Sequence, residues 1–257
     1  METEKSRKLR GGYYTPKEIT DFIARWAIQE PTDTILEPSC GDGAFIESSL
    51  TRLTELDADK FNILEQIHAV EIDATEAEKT INRISAFGIK NQPSNIFIGD
   101  FFKYCKAQLL SNKHFDCVLG NPPFVRYQDF PEEQRQSAFS IMFRMGLKPS
   151  RLTNTWIPFL IASTLLLKTG GRLGMVIPAE LFQVNYAAET RKILADIFST
   201  LIVITFRQLV FPDVQQEVVL LLGEKNGKHK HGIKIAEIDS VKDLKNMDIT
   251  HLTKKTT

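Results

Sequence analysis

The run Gly120-Asn121-Pro122-Pro123-Phe124 holds the groups best suited to chemistry in this chain. Asn121 offers an amide carbonyl as an acceptor. The two prolines restrict the backbone, so the carbonyl of the first is presented in a set direction. Two acceptors aimed at one amino group can hold both its hydrogens and turn the nitrogen lone pair toward a methyl donor. The gain is in orientation and electrostatics, without a general base. Phe124 can stack on a planar substrate and stabilise developing positive charge through cation–π attraction. An Asn-Pro turn is also an ordinary loop element, but its place directly after a strand favours the chemical reading.

A second set of residues suits a nucleoside-shaped ligand. In the turn Glu37-Pro38-Ser39-Cys40-Gly41-Asp42-Gly43-Ala44-Phe45, the glycines let backbone pass close beneath a ligand. A dinucleotide fingerprint would need a third glycine where the chain has Ile46, so a pyrophosphate is poorly served. A ligand with an uncharged ribose–sulfonium link fits, with acids nearby to meet ammonium and sulfonium charge. Taken alone, the turn is equally a structural strand–helix connection. Glu71 ends a strand, where a carboxylate can accept both hydroxyls of a ribose. Asp100 ends the next and can accept from an adenine amino group, with Phe101 or Phe102 covering the ring. Phe211-Pro212 precedes a late strand, and Phe211 can form the opposite face of a slot with Phe124, sandwiching an extruded base. By position alone, Phe211 is as readily a buried loop aromatic. The histidines at 68, 114, 229, 231 and 251 form no ligand-like or triad-like set.

These residues need a scaffold that brings them together. Thr15-Pro16-Lys17-Glu18 predicts a helix start with a threonine N-cap, a proline in the first turn and a capping-box glutamate. Ile19, Phe22, Ile23, Trp26 and Ala27 then repeat at helical spacing. Strands are predicted at 34–36, up to Glu71, at 96–98, at 115–119, at 172–177, at 201–206 and at 217–222. Helices fit most of the gaps. The alternation predicts an α/β fold, a Rossmann-like doubly wound sheet, mostly parallel. The short last connection predicts an antiparallel last strand. Ligands of such sheets bind at the carboxyl ends of the strands, where Glu37, Glu71, Asp100 and Asn121 fall.

Bulk properties leave this reading open. The chain has 257 residues, 42% of them hydrophobic, with 32 basic and 32 acidic side chains. Zero net charge argues mildly against phosphate-dominated binding, although Lys5, Arg7, Lys8 and Arg10 precede the first motif and Arg126, Arg135, Arg144, Lys148 and Arg151 follow the asparagine motif. Cys40, Cys105 and Cys117 lack metal-ligand spacing. No apolar run is long enough for a membrane span or a secretory signal, so a cytoplasmic protein with no metal and no membrane partner is expected. Residues 1–12 are expected to be an N-terminal arm, 13–223 the catalytic domain, and 224–257 a linker with a tail or the start of a truncated C-terminal region.

In this order, the motifs resemble the gamma class of N6-adenine DNA methyltransferases, and especially the N-6 DNA methylases of type IIG restriction–modification proteins. The resemblance runs from Gly12 to Leu222, with Gly12-Tyr13-Tyr14-Thr15-Pro16 as the motif at the methionine end of the cofactor. Asn154-Thr155-Trp156 through Pro178 is similar to the helix–strand unit that follows the asparagine motif. The resemblance implies a class I methyltransferase fold and S-adenosyl-L-methionine as cofactor. It further implies cofactor contacts from Tyr14, Thr15, Pro16, Glu37, Pro38, Ser39, Cys40, Gly41, Gly43, Phe45, Glu71, Ile72, Asp100, Phe101 and Asn121. Catalysis would fall to Asn121, Pro122, Pro123 and Phe124, with Phe124 and Phe211 stacking on a flipped adenine. Double-stranded DNA is the implied partner, with a target-recognition domain or specificity subunit outside this chain. A protein glutamine or an exocyclic amine of ribosomal RNA would use the same chemistry, and a non-catalytic cofactor-binding subunit is the remaining alternative.

Overall fold

The structure is a computed structural model that describes residues 14–59, 62–87, 95–184, 187–211, 217–225 and 233–248. In chain order the elements begin with α1 (Lys17–Ala27), β1 (Ile35–Glu37), α2 (Ala44–Glu55), α3 (Ile63–Gln66), β2 (Ile67–Glu71), α4 (Ala74–Ser85) and β3 (Ile96–Ile98). They continue with α5 (Phe101–Leu110), β4 (Phe115–Gly120), α6 (Glu132–Arg144), α7 (Trp156–Leu165), β5 (Leu167–Pro178), α8 (Glu180–Gln183) and α9 (Ala188–Ile197). The series closes with β6 (Phe198–Phe206), β7 (Val218–Lys225) and β8 (Ile233–Ile238).

Among the described residues the strands form one eight-stranded sheet in the order β3-β2-β1-β4-β5-β7-β6-β8. Only β7 runs against its neighbours, pairing antiparallel with both β5 and β6. Each strand sends alternate side chains to opposite faces. Val118, Met175, Val203 and Leu221 therefore enter one core with α5, α6, α7 and α9. Cys117, Leu119, Val176, Ile202 and Leu220 enter the other with α1, α2 and α4. The expected stripe on α1 is largely borne out: Ile19, Phe22, Ile23 and Ala27 are buried, while Trp26 is partly buried against the same core. Each such large side chain gains about 2 kcal/mol from leaving water. Helix α7, WIPFLIASTL, is apolar nearly all round and nearly all buried. Its Pro158 sits in the first turn, where a missing N–H costs little.

Two expectations need correcting. Thr15 does not cap α1. The N-cap residue is Pro16, no side chain among the described residues caps the helix, and the N–H groups of Ile19 and Thr20 donate to the Pro16 carbonyl. The second correction concerns residues 224–257. Strand β7 continues to Lys225, whose Nζ donates to the carbonyls of Thr164 and Leu167 at 2.9 and 2.7 Å. Beyond it, β8 pairs parallel with β6 from Leu201↔Ile233 to Phe206↔Ile238. Leu244, in the 3-10 turn Val241–Asn246, is buried in the core that holds α1. A short remainder needs no core of its own when it can extend an existing sheet edge, so residues 233–248 are part of the same sheet domain and the antiparallel strand is not the last. The calls on residues 1–12, Tyr13, Pro212, 226–232 and 249–257 lie outside the described residues.

Candidate active site

The chain visits β1, β2 and β3 on one side of β1 and then crosses to β4 on the other. That change of direction opens a crevice beyond the carboxyl ends of β1 and β4, where α/β sheets bind ligands. The crevice is a cavity of about 370 Å³, within the usual size of small-molecule sites. Of the residues singled out from sequence, Tyr14, Thr15, Glu37, Pro38, Ser39, Cys40, Gly41, Phe45, Glu71, Ile72, Asp100, Phe101, Phe102, Asn121 and Pro123 line it. Pro16, Gly43, Pro122, Phe124 and Phe211 do not.

The glycine turn is shaped by its neighbours. Gly43 has φ +84°, and a Cβ there would lie 2.9 Å from Thr80 Oγ1. Its role is to let the turn pack against α4, not to touch a ligand. Thr80 Oγ1 also donates to the Gly41 carbonyl at 2.8 Å, tying α4 to the turn. Glu71 completes the tie: its Oε2 accepts from Gly41 N at 2.8 Å and its Oε1 from Asp73 N at 2.9 Å. Each carboxylate oxygen keeps a second lone pair for a ligand hydroxyl. Burial pushes the Glu71 carboxyl up, and these backbone N–H groups oppose the shift.

Asp100 has a double duty that its sequence position did not reveal. Its Oδ1 accepts from Phe102 N at 2.6 Å and Lys103 N at 3.3 Å, capping α5. Its Oδ2 is buried with no hydrogen-bond partner among the described residues. Glu37 is the deepest acid, 2% exposed, and its Oε2 likewise lacks a partner among the described residues. Burial, reinforced by Asp42 and Glu71, holds the Glu37 carboxyl well above the usual carboxylate range. Asp42, Asp73, Glu76 and Asp129 add further acids, and no Lys, Arg or His is among the described lining residues. Asp42 is paired with Arg83 at 2.5 Å and Glu76 with Lys79 at 2.5 Å. An acidic cavity of this kind suits a ligand carrying positive charge.

Aromatic residues form the apolar wall. Phe101 is buried and stacks on Phe159 with centroids 5.0 Å apart, and Phe102 meets Phe159 edge-on at 4.9 Å. Phe130 and Phe159 also line the cavity, and neither was read from sequence. They belong to the loop before α6 and to α7, which carry no glycine or proline pattern pointing to a strand end. Ile72 stands 51% exposed on the lining.

At the β4 end, Asn121 Nδ2 donates to Thr15 Oγ1 at 3.2 Å, so the hydroxyl expected to cap α1 meets the amide instead. Ser39 Oγ donates to the Asn121 carbonyl at 3.4 Å. Phe124 is half-buried and packs against both cores, while Phe211 is 7% exposed within the core that holds α1. The aromatic slot expected between them is not part of the cavity. Cys40, Cys105 and Cys117 are buried free thiols. Among the described residues no His, Cys, Asp and Glu cluster could hold a metal ion, and no helix is long and apolar enough to cross a membrane.

A mostly parallel sheet with one antiparallel strand near its end, and an acidic nucleoside-sized cavity at its switch point, define the class I S-adenosylmethionine-dependent methyltransferase fold. Solved structures share it. The DrdV–DNA complex superposes with a TM-score of 0.77 at 15% identity, covering 96% of this chain and 30% of that one. A putative class I S-adenosylmethionine-dependent methyltransferase from Listeria monocytogenes superposes with a TM-score of 0.67 at 18% identity, covering 97% of this chain and 72% of that one. The chain belongs to the N-6 DNA methylase family, whose model matches residues 1–256. Type II methyltransferase M.HincII of Haemophilus influenzae is 28% identical over 256 residues, which make up 97% of this chain and 44% of that protein. The chain thus spans less than half the length of this relative.

Proposed function

We propose that this chain carries the catalytic site of a site-specific DNA methyltransferase that acts on the N6 amino group of adenine. The observation that carries the reading is the meeting of Asn121, Glu71, Asp100 and Glu37 in one cavity at four adjacent strand ends. The family membership and the type II methyltransferases among its relatives support it.

The cavity fits S-adenosyl-L-methionine on its own chemistry. Glu37 Oε2, buried and without a partner among the described residues, offers a carboxylate to a cationic group. Glu71 can accept ribose hydroxyls and Asp100 Oδ2 an adenine amino group, with Ile72 and Phe101 as apolar cover. When bound, the cofactor supplies a methyl group activated by its sulfonium.

Asn121 and the Pro122 carbonyl hold the two hydrogens of the target amine. This aims the nitrogen lone pair at the methyl carbon. The bound cofactor would supply the methyl carbon to that lone pair and keep the C–S electron pair on sulfur, and the amine's extra proton would leave nitrogen for water. Phe124 stabilises the transient positive charge. For the base to lie between Phe124 and Phe211, the rings must part from the core they now cover. Double-stranded DNA is the proposed partner, with exposed Arg126 next to the loop available to phosphate. Sequence choice falls to a target-recognition domain or specificity subunit.

The test is transfer of labelled methyl from S-adenosyl-L-methionine to mixed-sequence DNA, ribosomal RNA and protein acceptors, with the products separated chromatographically. Label in N6-methyladenine from DNA is expected. Label confined to RNA or to a glutamine amide would replace the proposed substrate.

A further inference from the structure

The hydroxyl of Thr155 is placed where a threonine ordinarily serves its own helix. It occupies the N-cap position of α7, yet its side chain makes no cap hydrogen bond. It turns to the asparagine loop instead. Val125 N donates to Thr155 Oγ1 at 2.9 Å, and Thr155 N donates to the Val125 carbonyl at 3.0 Å. The single hydroxyl proton goes to the Pro123 carbonyl, with the Val125 carbonyl at 3.2 Å as its alternative. Next to it, Asn154 Oδ1 accepts from Tyr127 N at 3.3 Å. Thr155 is 3% exposed, so water competes little for these bonds.

The consequence lies in which carbonyl the loop can offer. Thr155 engages the Pro123 carbonyl, whereas among the described residues no hydrogen bond ends on the Pro122 carbonyl oxygen. Phe124 lies between the two residues that Thr155 holds, so its backbone is pinned on both sides.

We propose that Thr155 is a positioning residue for the Asn121–Phe124 loop. It holds the second proline carbonyl and the backbone of Val125, which leaves the Pro122 carbonyl unengaged by the described residues for the target amine and fixes where Phe124 stands. The effect on turnover rests on the reading of this loop as the holder of the target amine; the clamp itself does not. Thr155 borders the same cavity, but its hydroxyl is engaged by Val125 and the Pro123 carbonyl, and it acts through the loop. Asn154 contributes the outer tie.

The test compares Thr155→Val, which keeps the shape and removes the hydroxyl, with Thr155→Ser, which restores it. Hydrogen exchange of the peptide spanning 121–131 reads the clamp without any turnover. Protection of its amides should fall about tenfold in Thr155→Val and return in Thr155→Ser. Amides of β4 and β5 should be unchanged in both. In methyl transfer, kcat should fall about 10- to 100-fold in the valine variant, with cofactor affinity by calorimetry within about threefold. If Thr155→Val does not fold, Thr155→Ala removes the same hydroxyl and is read against serine in the same way. Unchanged exchange on loss of the hydroxyl, or equal losses across loop and strands, would overturn the proposal. Loss of loop protection in a protein that methylates no DNA adenine would uphold the clamp and defeat the substrate reading instead.

Discussion

The cavity at the strand ends and the aromatic pair Phe124 and Phe211 are built to different degrees. The cavity is held open by ties among its own walls: Glu71 to the glycine turn, Thr80 to Gly41, Asp100 to α5. The aromatic rings lean on the hydrophobic cores and do not line this cavity. Backbone hydrogen bonds can shape a concave surface without a ligand, whereas two exposed rings facing an empty slot would leave apolar area in water. On the proposed reading, the donor side is ready-made and the acceptor side is opened by the substrate.

Asn121→Ala should break the two sides apart most sharply. Transfer should drop about a thousandfold, while calorimetry shows cofactor affinity within about threefold of the parent. Appreciable turnover in that variant would remove the amide from the mechanism.

Phe211→Ala should cost about 3 kcal/mol of stability in denaturant unfolding, because the ring fills a core position. Phe124→Ala should cost about 1 kcal/mol and be felt chiefly in transfer. Equal stability losses at the two positions would erase the contrast drawn between them.

Glu37→Gln should show a trade between stability and binding. The folded-state carboxyl is held above its ordinary 4.5 by burial and by its acidic neighbours. Its contribution to stability is therefore full at low pH and is lost as pH rises through the folded-state value. The glutamine variant should unfold about 2–4 °C higher at pH 8, and the difference should vanish toward pH 4.5. A cationic ligand favours the ionised acid, so binding releases a proton and strengthens with pH in the parent. In the variant, affinity should fall about tenfold and lose this pH dependence. A pH-independent parent affinity would contradict the assignment.

The smallest effect belongs to a residue away from the cavity. Burial, with Lys113 nearby, lowers the His68 pKa from 6.5 to about 4, and the ring meets Phe115 edge-on at 5.0 Å. Its contribution is present above 6.5 and is lost as pH falls through about 4. His68→Phe should resist acid unfolding slightly better and leave cofactor binding untouched; altered binding would show that the cavity extends to β2's interior.

The sequence made the donor side legible because strand ends, glycines and acids are local signals. Alternation of strands and helices was enough for the sheet, and each acid could be placed at a strand end. What stayed hidden depends on packing at a distance. Phe130 and Phe159 reach the cavity from the loop before α6 and from α7 through tertiary contacts. Thr15 looked like a cap because capping is a local rule, yet Asn121 lies 106 residues away in sequence and takes its hydroxyl. Strand β8 looked like a tail because the polar stretch before it reads as a linker, and only the free edge of β6 gives it a place.

On the proposed reading, the cavity at the strand ends binds a nucleoside bearing a sulfonium without help from DNA. Calorimetric titration of the chain with S-adenosyl-L-methionine, without DNA, tests it directly. Saturable one-site binding is predicted, weakened about tenfold or more in Glu71→Ala through loss of a charged acceptor. No binding, or binding indifferent to Glu71, would contradict the account.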